Sequence, residues 1–253
     1  MQTSKGIIKT LINRVNNGTT QLVSANILNK AITMLSNMVI TRMLTKSDYG
    51  MFSFALNIYS YLSIINGLGL LSGAFQVGAE HRREEEEYQT FKYSLKMGVI
   101  IDCLFLMIFF IGSAFIQYSI IDAKPIVLAY IPIILIEFVL HMSQYILYCE
   151  NRIKEYAWSL NITTILFTVG TCIGVIWGVY GVVVGRYISY LLALLFIFIN
   201  LKDEFHHIRF ASDLTNIQKK SLWNFSVFTG MTSALNSLLY LLDVTMIGSL
   251  LKS

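Results

Sequence analysis

Apolar residues in this chain gather into seven runs, separated by polar stretches: residues 22–43, 49–72, 97–118, 125–148, 156–178, 180–201 and 222–251. A helix crosses the hydrocarbon core of a bilayer in about 20 residues. The runs are too long for barrel strands and lack period-two alternation, so helices are the predicted spanning element. Inside several runs, polar residues recur at helical spacing. The first carries Asn26, Lys30, Thr33, Asn37 and Thr41, flanked by Asn29 and Ser36. The seventh carries Thr229, Ser233, Asn236, Tyr240 and Asp243, and the fourth Glu137, His141, Gln144 and Tyr148. Weaker stripes are Ser53, Asn57 and Tyr61 in the second run, and Asn161, Thr164, Thr168 and Thr171 in the fifth.

Composition agrees with a membrane protein. Hydrophobic residues make up 55% of the chain and charged residues 13%, and mean hydropathy is +0.61. A soluble domain carries roughly a quarter charged residues. The predicted fold is an all-α integral membrane protein. Residues 22–201 form a six-helix lobe, 202–221 a cytoplasmic linker, and 222–253 the first helix of an incomplete second lobe. The net charge of +4 calls for no nucleic-acid partner, because the basic residues follow the positive-inside pattern. With the N-terminus cytoplasmic, the inner segments hold Lys5, Lys9, Arg14, Arg82, Arg83, Lys92, Lys96, Arg152, Lys154, Lys202, Arg209, Lys219 and Lys220. The outer segments hold Arg42, Lys46, Lys124 and Lys252. The expected location is a bacterial cytoplasmic (inner) membrane, crossed several times.

The ends and loops add less. Ile7, Ile8, Leu11, Ile12 and Val15 share one helical face with Lys5, Lys9 and Arg14 around it. Residues 1–21 are therefore expected to lie as a short amphipathic helix on the anionic inner surface. No cleavable signal peptide is expected. Cys103, Cys149 and Cys172 fall in different runs without metal or redox spacing, and neither a metal nor a cofactor is called for. The acidic run His81–Glu87 reads as a solvated helix face, and His206 and His207 as surface residues. Glycosylation-like tripeptides at Asn17, Asn161 and Asn224 lie in or beside the membrane or on its inner side, where chance explains them.

The intramembrane charges point to chemistry. An ionised side chain costs about 3 kcal/mol in a spanning helix and usually faces a water-filled path. Lys30 is the strongest case, with snorkelling to the inner surface or a structural ion pair as its alternatives. Glu137 and His141, one turn apart, suit proton or ion coupling, and equally a structural hydrogen-bonded pair. Asp102 lies near the inner end of the third run, where solvent can reach it. Arg186 lies near the outer end of the sixth, and Asp243 near the level of Arg42. The polar faces are expected to line a shared cavity. Lys30, Arg42 and Arg186 would contact phosphate there. Asn26, Thr33, Asn37, Asn236, Tyr240 and Asp243 would supply its polar stripe. Such a cavity fits a large anionic substrate better than an organic cation.

Two motifs extend this. Leu35–Ser47 aligns with Leu241–Ser253, pairing Lys30 with Asn236 and Asn37 with Asp243. That echo suggests two lobes, with the second cut short. The stretch Thr41–Gly50 (TRMLTKSDYG), Phe52 and Asn66–Ser72 (NGLGLLS) resembles the start of bacterial polysaccharide flippases. These form the polysaccharide-transporter branch of the superfamily that also holds multidrug and toxin extrusion antiporters and lipid II flippases. In that pattern Arg42 and Leu44 close the first span, a short loop ends at Tyr49–Gly50, and Leu68–Gly69–Leu70 ends the second. The resemblance implies movement of an undecaprenyl-pyrophosphate-linked sugar unit between leaflets, by two lobes of about six helices rocking around a cationic cavity. Its implied partners are the lipid-linked oligosaccharide and membrane lipids, with a polymerase as a candidate. It implies a transporter rather than an enzyme. Members have twelve or more spans, so a truncated reading frame is expected here, ahead of a half-size protein that dimerises. The alternatives are a cation-coupled multidrug antiporter, disfavoured because Asn37 stands where a buried acid is wanted, and a membrane-embedded polymerase or glycosyltransferase, disfavoured because no loop is large enough for a catalytic domain.

Overall fold

A computed structural model describes the backbone of residues 2–80, 84–116 and 121–250, and the side chains of 22–77, 85–116 and 122–239. Every regular element among the described residues is helical. The helices are α1 (Gln2–Met43), α2 (Lys46–Ser63), α3 (Leu70–Glu80), α4 (Glu84–Phe115), α5 (Lys124–Tyr130), α6 (Ile133–Cys149), α7 (Ile153–Gly174), α8 (Gly178–Asn200), α9 (Lys202–Phe210) and α10 (Asn216–Leu250). Helical turns at Asn66–Gly69, Ile121–Ala123 and Val175–Trp177 link some of them. Among the described residues these helices fit seven spanning units: α1, the α2–α3 pair, α4, the α5–α6 pair, α7, α8 and α10. Four stretches are long and apolar enough to cross a membrane: Lys46–Val77, Glu85–Phe115, Lys124–Cys149 and Ile153–Asn200, the last being the α7–α8 hairpin. Helix α1 is not among them, because its polar stripe dilutes its apolar character.

The centre of the lobe is α6, which buries ten of its 17 residues. Phe138, Leu140, Met142 and Tyr145 are each at most 1% exposed, packed against α3, α4 and α8. Helices α7 and α8 pair antiparallel around glycines. A Cβ on Gly170 would overlap the Gly185 carbonyl, and one on Gly174 the Gly181 carbonyl. Small residues let the two backbones touch, the packing that drives helix association where lipid offers no hydrophobic gain. The Ser189 hydroxyl donates across this pair to the Leu166 carbonyl at 2.8 Å.

Several expectations change. Helix α1 runs unbroken for 42 residues, about 63 Å at 1.5 Å per residue. Residues 2–21 are helical and continuous with the first run; no proline interrupts them. Tyr49 and Gly50 lie within the first two turns of α2, not in a loop. The Thr45 hydroxyl accepts the Asp48 N–H at 3.1 Å and donates to the Asp48 carboxylate at 2.9 Å, which starts the helix at Lys46. The fourth run breaks after Tyr130, where Pro132 lacks the N–H that a continuous helix would use. The acidic run is helical where described, at the start of α4, as expected, while part of the 202–221 linker forms α9 (Lys202–Phe210). His81, Arg82 and Arg83, and the side chain of Glu84, lie outside the described residues.

The second run breaks most sharply. Gly67, Leu68 and Gly69 have φ of 58°, 47° and 76°, three consecutive left-handed residues within an apolar stretch. Asp102, read as accessible to solvent, is instead 3% exposed and accepts the Gly67 N–H at 2.8 Å. A carboxylate from α4 thus satisfies a backbone donor that the break leaves free. Helix α10 seats on this kink: a Cβ at Gly69 would overlap the Ser226 carbonyl, and one at Gly73 the Ser226 hydroxyl.

Candidate functional site

The polar stripe of the first run stands intact on one face of α1. Asn26, Lys30, Asn37, Thr41 and Arg42 are exposed, and Thr33 is partly buried. Together with Asn29, Met34 and Met38 they line an open concavity of about 650 Å³. The opposite face explains the orientation: Ala25, Ser36 and Ile40 are buried, and α1 packs along α7. Thr33 and Thr41 donate to the carbonyls of Asn29 and Asn37, each at 2.8 Å, so their hydroxyls are engaged within the helix. The groups left facing outward are two cations and a row of amides. Lys30 and Arg42 are twelve residues apart, about 18 Å along the axis. That spacing suits an elongated anion whose polar remainder lies on the amides.

A second polar cluster lies inside the lobe. Glu137 accepts hydrogen bonds from the hydroxyls of Tyr59 and Tyr190, the latter at 3.4 Å. His141 Nε2 lies 3.6 Å from Glu137 Oε1, and its Nδ1 meets Gln144 Oε1 at 3.0 Å. Gln144 in turn donates to the Thr163 hydroxyl at 3.4 Å. Helices α2, α6, α7 and α8 are joined by this chain of contacts. The side chains of Glu137 and His141 keep 22% and 37% exposure, so the pair is not sealed.

Arg186 stands apart from Lys30 and Arg42. It is 4% exposed, and its guanidinium lies over the rings of Phe167, Phe52 and Tyr130 at 4.5, 4.9 and 5.2 Å. It also donates to the Tyr130 hydroxyl. Among the described residues no carboxylate lies within ion-pair range of it. Of the three cations expected to share a cavity, Lys30 and Arg42 line the concavity on α1, whereas Arg186 lies in the lobe core.

On α10, Asn236 is exposed, while the side chains of Tyr240 and Asp243 lie outside the described residues, and with them the Arg42–Asp243 pairing. The aromatic partners Tyr59, Tyr130, Phe167 and Tyr190 were not singled out in the sequence. Their signals were the intramembrane charges Glu137 and Arg186, which need partners but do not name them.

Several solved structures share the fold. One of MATE in complex with MaD3S superposes with a TM-score of 0.66 at 16% identity, over 87% of this chain and 53% of that one. A MOP superfamily transporter from Pyrococcus furiosus gives 0.61 at 17%, over 87% and 52%. An outward-facing multidrug resistance MATE family transporter of the MOP superfamily gives 0.60 at 19%, over 87% and 52%. The chain spans about half the length of these proteins. Comparison with curated proteins gives no significant match. The family model described as "Polysaccharide biosynthesis protein" matches residues 15–253, nearly the whole chain, including the Thr41–Gly50 and Asn66–Ser72 motifs and the α1 stripe. This multi-pass helical membrane protein therefore belongs to the polysaccharide biosynthesis protein family.

Proposed function

We propose that the chain serves in translocating an undecaprenyl-pyrophosphate-linked oligosaccharide across the cytoplasmic membrane, with its N-terminus on the cytoplasmic side. The observation that carries this reading is the cationic, amide-rich face of α1. Lys30 and Arg42 are the phosphate contacts; Asn26 and Asn37 meet sugar hydroxyls. Family membership supplies the link to polysaccharide. The fold shared with multidrug transporters does not carry their substrates over, because a cationic face repels organic cations. Asn236, exposed on α10, is assigned to the same polar lining, and the Glu137–His141 pair takes the ion-coupling role. Orientation rests on the charge asymmetry of the loops.

The test is surface display of newly made polysaccharide in a strain lacking the native gene and carrying variants in its place. Lys30→Ala together with Arg42→Ala is expected to lower display by roughly tenfold or more, since each charged hydrogen bond to phosphate contributes about 1.5–3 kcal/mol. Lys46→Ala, outside the concavity, is expected to change nothing. Undiminished display in the double variant, at equal protein level, refutes the reading. Export of cationic dyes by the same cells would favour the antiporter instead.

A further inference from the structure

At the linker end of the lobe, α10 meets α4 in a small aromatic seam. The Lys219 ammonium lies 5.5 Å from the centre of the Tyr93 ring. Trp223, one turn on from Lys219, donates its indole N–H to the Tyr93 hydroxyl at 3.0 Å. Lys96 follows Tyr93 by one turn on α4, and both Lys96 and Lys220 are exposed. The local acid is already engaged: Asp213 lies 3.6 Å from Lys92, which also donates to the Ala211 carbonyl at 2.8 Å. Among the described residues no carboxylate lies within ion-pair range of Lys96, Lys219 or Lys220. Lys219 therefore shares a site with two amphipathic rings, with exposed Lys96 one turn along α4 and exposed Lys220 next on α10, at the border of the third and seventh apolar runs.

We propose that this seam binds the headgroup of an anionic phospholipid, which bridges α4 and α10. Lys96, Lys219 and Lys220 hold the phosphate, and Tyr93 and Trp223 sit at headgroup depth, where such rings are enriched. A lipid is favoured over a soluble anion because the surface next to the lysines is apolar. Met97 and Ile101 are partly buried against the same small core as Tyr93 and Trp223, which gives acyl chains a wall to lie on. A lipid held there would fix α10 against the kinked α2–α3 unit on which it already seats. The inference is independent of the proposed transport: it needs only the seam and an anionic leaflet.

The experiment uses the full chain in a mild non-ionic detergent. Phosphatidylglycerol and phosphatidylcholine are titrated, and retained lipid is counted by native mass spectrometry. Phosphatidylglycerol is expected to be retained and phosphatidylcholine lost. A lysine near an anionic surface contributes about 1 kcal/mol, so each Lys→Ala change is expected to weaken retention about fivefold, and the triple variant on the order of a hundredfold. Lys219→Arg with Lys220→Arg should retain the lipid, which separates loss of charge from loss of fold. Lys46→Ala, at the other end of the lobe, is the control. Retention unchanged in the triple variant, or an equal loss in Lys46→Ala, overturns the proposal. Displacement of the lipid by inorganic phosphate at moderate concentration overturns it in favour of a soluble anion.

Discussion

At Gly67 three requirements meet in one residue. Its φ is 58°, its N–H is donated to the buried Asp102, and a Cβ would overlap the Phe138 ring. Gly67→Ala therefore adds left-handed strain to a core clash, and is expected to destabilise the lobe by about 2 kcal/mol or more. Loss of helical signal in a denaturing-detergent titration measures this. Gly112 has open space around its Cβ position, so Gly112→Ala is expected to be neutral or stabilising by up to about 1 kcal/mol. The difference between these two glycines was not legible in the sequence, since both sit in apolar runs. Arg186 gives the same lesson for charge. Its place within an apolar run showed that the cation must be shielded. Whether water, substrate or aromatic rings do the shielding depends on Phe52, Tyr130 and Phe167, which come from three other helices.

Among the elements, α1 and α9 contrast. The α1 stripe was readable because a single helix carries all of its residues and the 3.6-residue period places them on one face. Nothing in a period could show that α9 is held to the lobe. Arg152, at the start of α7, is paired with Glu204 of α9, Glu155 of α7, and Glu150 at 3.2 Å. The Tyr88 hydroxyl donates to the same Glu150 at 2.8 Å, and its ring stacks on His207. Arg152→Gln is expected to raise hydrogen exchange across Lys202–Phe210 severalfold while leaving α6 protected. The Glu155 carboxylate, with Glu150 and Glu204, holds the Arg152 guanidinium above its ordinary range. A raised cation contributes its stabilisation below its unfolded pKa, and loses it only as pH climbs through the folded value. Both lie beyond working pH, so exchange in α9, corrected for the intrinsic rate, is expected to stay constant between about pH 6 and about pH 9. A change in that window would mean that another group governs the clamp.

For the whole molecule, the decisive contact joins α10 to the kinked second unit. Gly69 and Gly73 meet Ser226, and Gly230 lies against Gly69, so two backbones approach as closely as they do between α7 and α8. Gly73→Val is expected to lift α10 from its seat. Exchange across residues 216–239 should rise while α6 and the α7–α8 pair keep their protection; uniform protection throughout would show that α10 is held elsewhere. The sequence by itself determined the class, the number and order of spanning units and the polar face of α1. Each follows from short-range periodicity and from the cost of leaving polar groups in hydrocarbon. The tertiary structure alone decided that the second run breaks into left-handed turns, that Asp102 is buried, and that Arg186 leaves the company of Lys30 and Arg42. Those outcomes depend on which residues, distant in sequence, come to lie beside one another, and hydrophobicity in a membrane cannot specify that, because lipid and protein core are equally apolar.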